Sequence, residues 1–172
     1  MVEAVHGKDR ILMFRPKSME GTEAAKKLAL QTEHEYSSSR DVESTQTKDG
    51  TVQSLGIIEE EISASSLLPK GDVVLDEMED AYQNGEVIQV WDADLSQAGT
   101  APNTFKGKYF EVYMTEFTQS AGSEDNVEIS MTFAVNGVGR KGDVTVPTAI
   151  QDAVQYEFKD TTAPTPPTPP IV

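Results

Sequence analysis

Between residues 127 and 136 two kinds of side chain alternate without a break. Val127, Ile129, Met131, Phe133 and Val135 fall on one side, and Glu128, Ser130, Thr132, Ala134 and Asn136 on the other. Successive side chains of a strand point to opposite faces, so this pattern fits a strand with one face in a core and one in water. A helix would scatter the same residues around its axis and bury polar ones with the apolar ones. Weaker forms of the pattern recur along the chain. From Leu28, a strand is predicted with Leu28, Leu30, Thr32, His34 and Tyr36 on one face; Ala29, Gln31, Glu33, Glu35 and Ser37 lie on the other. Residues 87–91 read as a short apolar strand, and 105–118 as a longer one with apolar groups on both faces. Residues 144–147 read as a last strand, ended by Pro147, which has no amide donor to give. The chain is expected to be mainly β.

One segment breaks the period. Val74, Leu75, Met78, Ala81 and Tyr82 recur at spacings of three and four, which predicts a helix over 72–84. Asp72 can cap its first turn, and Asn84-Gly85 supplies the left-handed residue that stops it. Asp76, Glu77, Glu79 and Asp80 make its other face acidic, and a basic neighbour would suit that face.

Two stretches belong to neither core nor helix. Residues 37–54 are polar, and Asp49-Gly50 is a hairpin turn signal. They form either a solvated loop or a long two-stranded arm, which cannot bury itself within one chain and would dock on a neighbour. Residues 161–170, with Pro164, Pro166, Pro167, Pro169 and Pro170, read as an extended linker leading towards an optional further domain.

Charge and composition exclude several kinds of chemistry. The 14 basic and 29 acidic residues give a net charge of −15, the wrong sign for holding nucleic acid through its phosphates. The charge is uneven: residues 1–27 hold six basic and four acidic side chains, whereas 59–86 hold one basic and nine acidic. With no cysteine there is no disulfide, thiolate nucleophile or cysteine-bound zinc. No apolar run is long enough to span a bilayer, and residues 1–7 lack the apolar stretch of a secretory signal.

Candidate motifs fail on their context. Gly137-Val138-Gly139-Arg140-Lys141-Gly142 matches the dinucleotide fingerprint, but a helix must follow so that its amides meet the phosphates. The β-branched Asp143-Val144-Thr145-Val146-Pro147 follows instead, so the glycines are expected to make a tight turn between strands. Glu59-Glu60-Glu61 puts carboxylates on alternate faces of a strand, where they cannot converge for acid–base work; an exposed charged surface is expected. His6 and His34 are the only histidines, and neither sits in a catalytic or zinc-binding pattern; His34 is expected in a core or an interface. Trp91 is expected in a core. No catalytic, cofactor or metal site is predicted, and the chain is not expected to be an enzyme.

The order of elements resembles the major tail proteins of long non-contractile bacteriophage tails. It runs strands, a long polar loop with Lys48-Asp49-Gly50, strands, one acidic helix, then further strands. Similar phrases are Glu79-Asp80-Ala81-Tyr82-Gln83-Asn84-Gly85 leading into Ile88-Gln89-Val90-Trp91, and Asn126-Val127-Glu128-Ile129-Ser130 leading into Phe133-Ala134-Val135-Asn136-Gly137. The opening His6-Gly7-Lys8-Asp9-Arg10-Ile11-Leu12 is also of that kind. The resemblance covers roughly residues 1–150.

It implies an antiparallel β-sandwich over 1–150 with one flanking helix, a long hairpin loop and extended terminal arms, followed by a C-terminal arm and proline-rich linker over 151–172. It further implies hexameric rings stacked into a tube, whose inner strands join around a lumen that genome DNA crosses without specific binding. The loop over 38–53, with Ser38, Arg40, Asp41, Lys48, Asp49 and Gly50, and the arm over 1–8 would reach adjacent rings. Asp76, Glu77, Asp80 and Tyr82 of the helix would face a neighbouring subunit. Glu59, Glu61 and Glu128 are candidates for an acidic lumen wall, which would repel phosphates. Other tail proteins (tape measure, terminator and baseplate) are the expected partners, with assembly in the bacterial cytoplasm, residence in the virion tail and no membrane contact. The alternative is an immunoglobulin-like adhesion or virion decoration module on a proline-rich stalk.

Overall fold

A computed structural model of the chain describes residues 2–154. Met1 and the proline-rich stretch expected over 161–170 lie outside the described residues, as does most of the arm expected over 151–172. The strands are β1 (Arg10–Pro16), β2 (Lys26–Lys27), β3 (Gln31–Thr47), β4 (Gly50–Leu67), β5 (Ile88–Ala98), β6 (Thr104–Ser120), β7 (Glu128–Val135) and β8 (Arg140–Thr145). Helix α1 (Val73–Asn84) separates β4 from β5, and α2 (Thr148–Val154) follows β8. The strands form one antiparallel sheet in the order β2-β1-β5-β6-β7-β4-β3, with β8 beside the first half of β6.

That sheet is not flat. Phe14 on β1 and Phe133 on β7 have ring centroids 5.7 Å apart, and Tyr36 on β3 lies 5.5 Å from Phe110 on β6. Each pair is three strands apart in the sheet order, a distance of about 14 Å across flat strands. The sheet therefore folds over on itself, and β2-β1-β5 with the first half of β6 faces β3-β4-β7 with its second half. The result is a sandwich built from a single sheet.

The alternation read from the sequence fills the space between the halves. Ile129, Met131 and Phe133 are buried on β7, and Ile62 and Ala64 face them from β4. Phe110, Val112 and Met114 on β6, Ile88 and Val90 on β5, and Leu12 and Phe14 on β1 complete this core. Helix α1 closes it with Val74, Leu75, Met78 and Ala81. Each of the larger side chains among them, fully buried, contributes roughly 1.5–3 kcal/mol. The opposite face of β1 and β5 holds a second cluster of Ile11, Met13, Ala93 and Leu95, joined by Val144 and Val146 and flanked by Ile150 of α2. Phe105 packs there while Phe110 packs in the first core, so β6 has apolar partners on both faces as expected.

The α1 caps are those read from the sequence. The Asp72 carboxylate accepts from the Val74 N–H over 2.9 Å, and Gly85 adopts φ +67°. Several boundaries differ. The strand expected from Leu28 begins at Gln31: Leu28 is buried ahead of it, and Leu30 turns outward at φ +54°. The strand over 87–91 runs on to Ala98, because Asp92 and Asp94 find polar partners and need not end it. The last strand starts at Arg140, where pairing with Tyr109 begins. Helix α2 was not anticipated; its seven residues carry too weak a period to read.

Candidate functional site

β3 and β4 outrun the body of the protein. The outermost β4–β7 partners are Glu61 and Ala134, yet β3 and β4 continue pairing out to Thr47 and Gly50. Residues 37–57 are all exposed. Of the two alternatives open for this stretch, a two-stranded arm with one register shift between Arg40 and Val42 is the one formed. Ser38, Arg40 and Asp41 lie near its root, and Lys48, Asp49 and Gly50 form its tip. There Thr47 Oγ1 donates to the Gly50 carbonyl over 2.7 Å, and Gly50 takes φ +133°. Val42 and Leu55 face each other across the ribbon, and Ile57 is 78% exposed. A lone ribbon is marginal in water, and these apolar groups have no core to enter.

At the arm's root lies a residue that the sequence reading placed wrongly. Glu59 and Glu61 are exposed as expected, but Glu60 between them is buried, 8% exposed. It shares the inward parity of Ile62 and Ala64, so the alternation itself carried the signal. The Tyr36 hydroxyl donates to Glu60 Oε1 over 2.6 Å, and the Gly139 N–H donates to Oε2 over 2.7 Å. Burial and that carboxylate push the Tyr36 hydroxyl pKa up. The glycine-rich segment is the turn that its following residues predicted: Gly137 takes φ +81°, and Gly139 lies against the Phe110 ring, where a Cβ would overlap it.

The outward face of β3-β4-β7 and the second half of β6 is mainly acidic and hydroxyl-bearing, with Tyr113, Ala134 and Leu67 as apolar members. Glu59, Glu61 and Glu128 share it, as the pairings of Glu61 with Ala134 and Leu67 with Glu128 require. Glu33, Glu35 and Glu116, which sequence reasoning missed, belong to the same face by strand parity. Serines and threonines fill the rows between, among them Ser37, Ser63, Ser65, Ser130, Thr132 and Thr118, and no lysine or arginine interrupts them. Carboxylates of one sign on one face sum to a field that repels anions.

The helix residues stand apart from this face and from the arm. Asp76 and Asp80 are exposed. Glu77 instead accepts from Lys26 Nζ over 2.8 Å, and Lys26 also pairs with Glu23, so its charge is met within the chain. Tyr82, expected on the packed face, is 39% exposed and stacks on Phe117 at 6.4 Å. The helix thus occupies a surface of its own, whereas the arm and the acidic wall adjoin on β3 and β4, where Ser39 pairs with Glu59 and Ser37 with Glu61.

The remaining titratable groups form structural contacts. Burial would raise the Asp92 carboxyl pKa, but the nearby His34 and the hydrogen-bonded Arg10 guanidinium outweigh it and hold the group below the usual carboxylate range. His34 Nε2 lies 3.7 Å from Asp92, with its side chain 15% exposed, in keeping with a core histidine. His6 accepts from the Lys8 N–H at the start of a short 3-10 turn. Trp91 is only partly buried, between Tyr109 and the Arg15 guanidinium. Among the described residues no group of three or more His, Asp or Glu side chains could hold a metal ion, and no helix is long and apolar enough to cross a membrane.

Comparison with known proteins gives this arrangement its context. The sequence signature of a family described as phage tail tube proteins matches residues 4–140. A protein assigned to the tail of Staphylococcus phage phiMR25 is 31% identical over 94% of this chain and 86% of its own length. A tail tube protein of Bacillus phage SPP1 is 28% identical over 76% of this chain; the match spans half of that protein's length. The SPP1 tail tube structure superposes with a TM-score of 0.75 at 24% identity, covering 96% of this chain and 98% of that one. The tail of a gene transfer agent particle, refined with C6 symmetry, superposes at 0.61 and 14% identity over 80% of this chain and 98% of that one.

Proposed function

The chain belongs to the phage tail tube protein family and is a structural subunit of a phage tail, and from that premise we propose that its copies close into hexameric rings that stack as a tube for passage of genome DNA. The observation that carries this reading is the acidic outward face of β3-β4-β7-β6. Turned towards a lumen, Glu59, Glu61 and Glu128 would keep DNA phosphates off the wall, so that the duplex slides instead of binding. The edges of the same four strands support ring closure. β3 has β4 on one side only, and β6 pairs with β5 no further than Val112. Joining such edges between copies satisfies their backbone groups and removes an aggregation hazard. Six-fold symmetry is consistent with the C6 tail of the gene transfer agent. The arm over 38–53 extends beyond the body, and with the exposed N-terminal residues 2–8 it is suited to bridging rings. In this reading the subunit meets tape measure, terminator and baseplate proteins at the tube's ends, is assembled in the bacterial cytoplasm and resides in the virion.

Negative-stain electron microscopy across rising protein concentration, paired with size-exclusion chromatography, tests it. Hollow tubes or rings of uniform width are the expected result. A monomer at every concentration would speak instead for an adhesion or decoration module.

A further inference from the structure

Strand β6 runs from Thr104 to Ser120, a span of about 55 Å at the ordinary rise of a strand. Its two ends carry opposite charge. At the first end Lys108 stands directly opposite Lys141 of β8, a placement of like charges that costs stability unless something relieves it. The carboxylates nearby are committed elsewhere. Asp92 accepts from Arg10, Asp143 from Lys106 and Thr100, and Asp94 from Ser96 and Gln97. Lys108 rests over the Tyr36 ring at 4.3 Å, and among the described residues neither it nor Lys141 has a carboxylate within ion-pair distance. At the other end the turn from β6 to β7 exposes Glu124 and Asp125, with Glu128 opening β7, and none of the three is ion-paired among the described residues. A chain with a net charge of −15 thus keeps two unpaired cations facing each other at one end and unpaired acids at the other.

We propose that the occupant of the Lys108–Lys141 platform is the acidic turn of a second copy of this chain, so that rings stack head to tail through complementary ends. The inference rests on the tube reading above and adds to it a polarity and a salt dependence. Head-to-tail contacts are the kind that extend without closing, as a tube's axis requires. Each new contact removes the lysine–lysine repulsion and neutralises acids that would otherwise repel the next ring. Because Lys141, Glu124 and Asp125 are exposed in the free subunit and Lys108 is half-buried, their pairing is screened by salt. Raising ionic strength should therefore unstack rings without opening them, since ring closure uses strand edges.

Charge reversal at each end tests this. E124K/D125K should fold with the wild-type melting temperature and K108E/K141E with a lower one, since Lys108 rests on Tyr36 and stands opposite Asp92; each should form rings, yet need about tenfold or more protein for tubes. Mixed in equal amounts, they should form tubes again near the wild-type concentration, because each supplies the end that the other lacks. Tubes from either variant alone at the wild-type concentration would overturn the proposal, and so would a mixture that stays as rings. If a reversed chain does not fold, the milder K108Q/K141Q is read instead; a salt dependence of stacking equal to the wild type's would count against it. A wild type that forms neither rings nor tubes overturns the tube reading itself, whereas wild-type tubes indifferent to these charges overturn only the polarity.

Discussion

Gly139 donates its backbone N–H to Glu60 Oε2 over 2.7 Å, which ties the turn between β7 and β8 to the root of the β3–β4 arm. The other oxygen of the same carboxylate takes the Tyr36 hydroxyl, so one buried side chain fixes three segments where the arm leaves the body.

Removing that carboxylate should loosen the junction. Glu60→Ala leaves two donors without their acceptor and is expected to lower stability by about 2 kcal/mol. Glu60→Gln keeps one acceptor oxygen and should cost about half as much. Urea unfolding followed by tyrosine and tryptophan fluorescence measures both. An alanine variant with the wild-type midpoint would mean that water takes over the carboxylate's part.

The two glycines of the turn and the one in β8 that follows should separate by mechanism. At Gly139 an added Cβ would overlap the Phe110 ring, itself buried in the core, so Gly139→Ala is expected to cost about 2 kcal/mol or more. Gly137 has open space but φ +81°, so its alanine variant should cost about 1 kcal/mol. Gly142 has neither constraint, and Gly142→Ala should stay within about 0.5 kcal/mol. Thermal melts of the three variants give the ranking. Equal losses at all three positions would contradict it.

This turn also shows what the sequence made legible. A dinucleotide fingerprint was dismissed because β-branched residues follow it, and the strand β8 is there. The alternation over 127–136, the α1 caps and the Asp49-Gly50 turn were readable because each depends on neighbours within one element. Glu60 was readable in principle, by its parity with Ile62, but a run of three acids suggested a surface. The fold-over of the sheet was not readable. It depends on Phe14 meeting Phe133 and Tyr36 meeting Phe110, contacts between strands remote in sequence that no local period encodes. For the same reason Glu33, Glu35 and Glu116 could not be joined to Glu59, Glu61 and Glu128 before the register of four strands was known.

Acid should weaken the contact between β1, β3 and β5. Although burial alone would raise the Asp92 pKa, His34 and Arg10 hold it below the usual carboxylate value. The ionised form is therefore favoured by folding. Its stabilisation is complete above the unfolded pKa of about 3.9 and is lost as pH falls through the lower folded value. Wild-type stability should decline below about pH 4, and Asp92→Asn should be less stable at neutral pH with a flatter decline. Glu111 and Asp143, also held low by their lysine partners, will keep part of the slope. Urea midpoints from pH 7 downward decide it, and parallel curves for the two proteins would place the acid sensitivity elsewhere.

The arm is where monomer stability and assembly should come apart. None of residues 41–57 is buried, so excising 42–56 and closing the ribbon with Asn-Gly removes little that holds the body together. The shortened chain is expected to melt within a few degrees of the wild type, and a loss of the body's cooperative transition would show that the arm is part of the fold. In the monomer, amides over 42–56 should exchange far faster than those over 61–66, which pair on both sides with β3 and β7. In tubes the same arm amides should slow if the exposed Val42, Leu55 and Ile57 find a neighbour to cover them. The shortened chain should then close into rings but fail to stack. Rapid exchange of the arm in tubes, or normal tubes without it, would remove the arm from ring-to-ring contact and leave the charged ends of β6 to hold the stack alone.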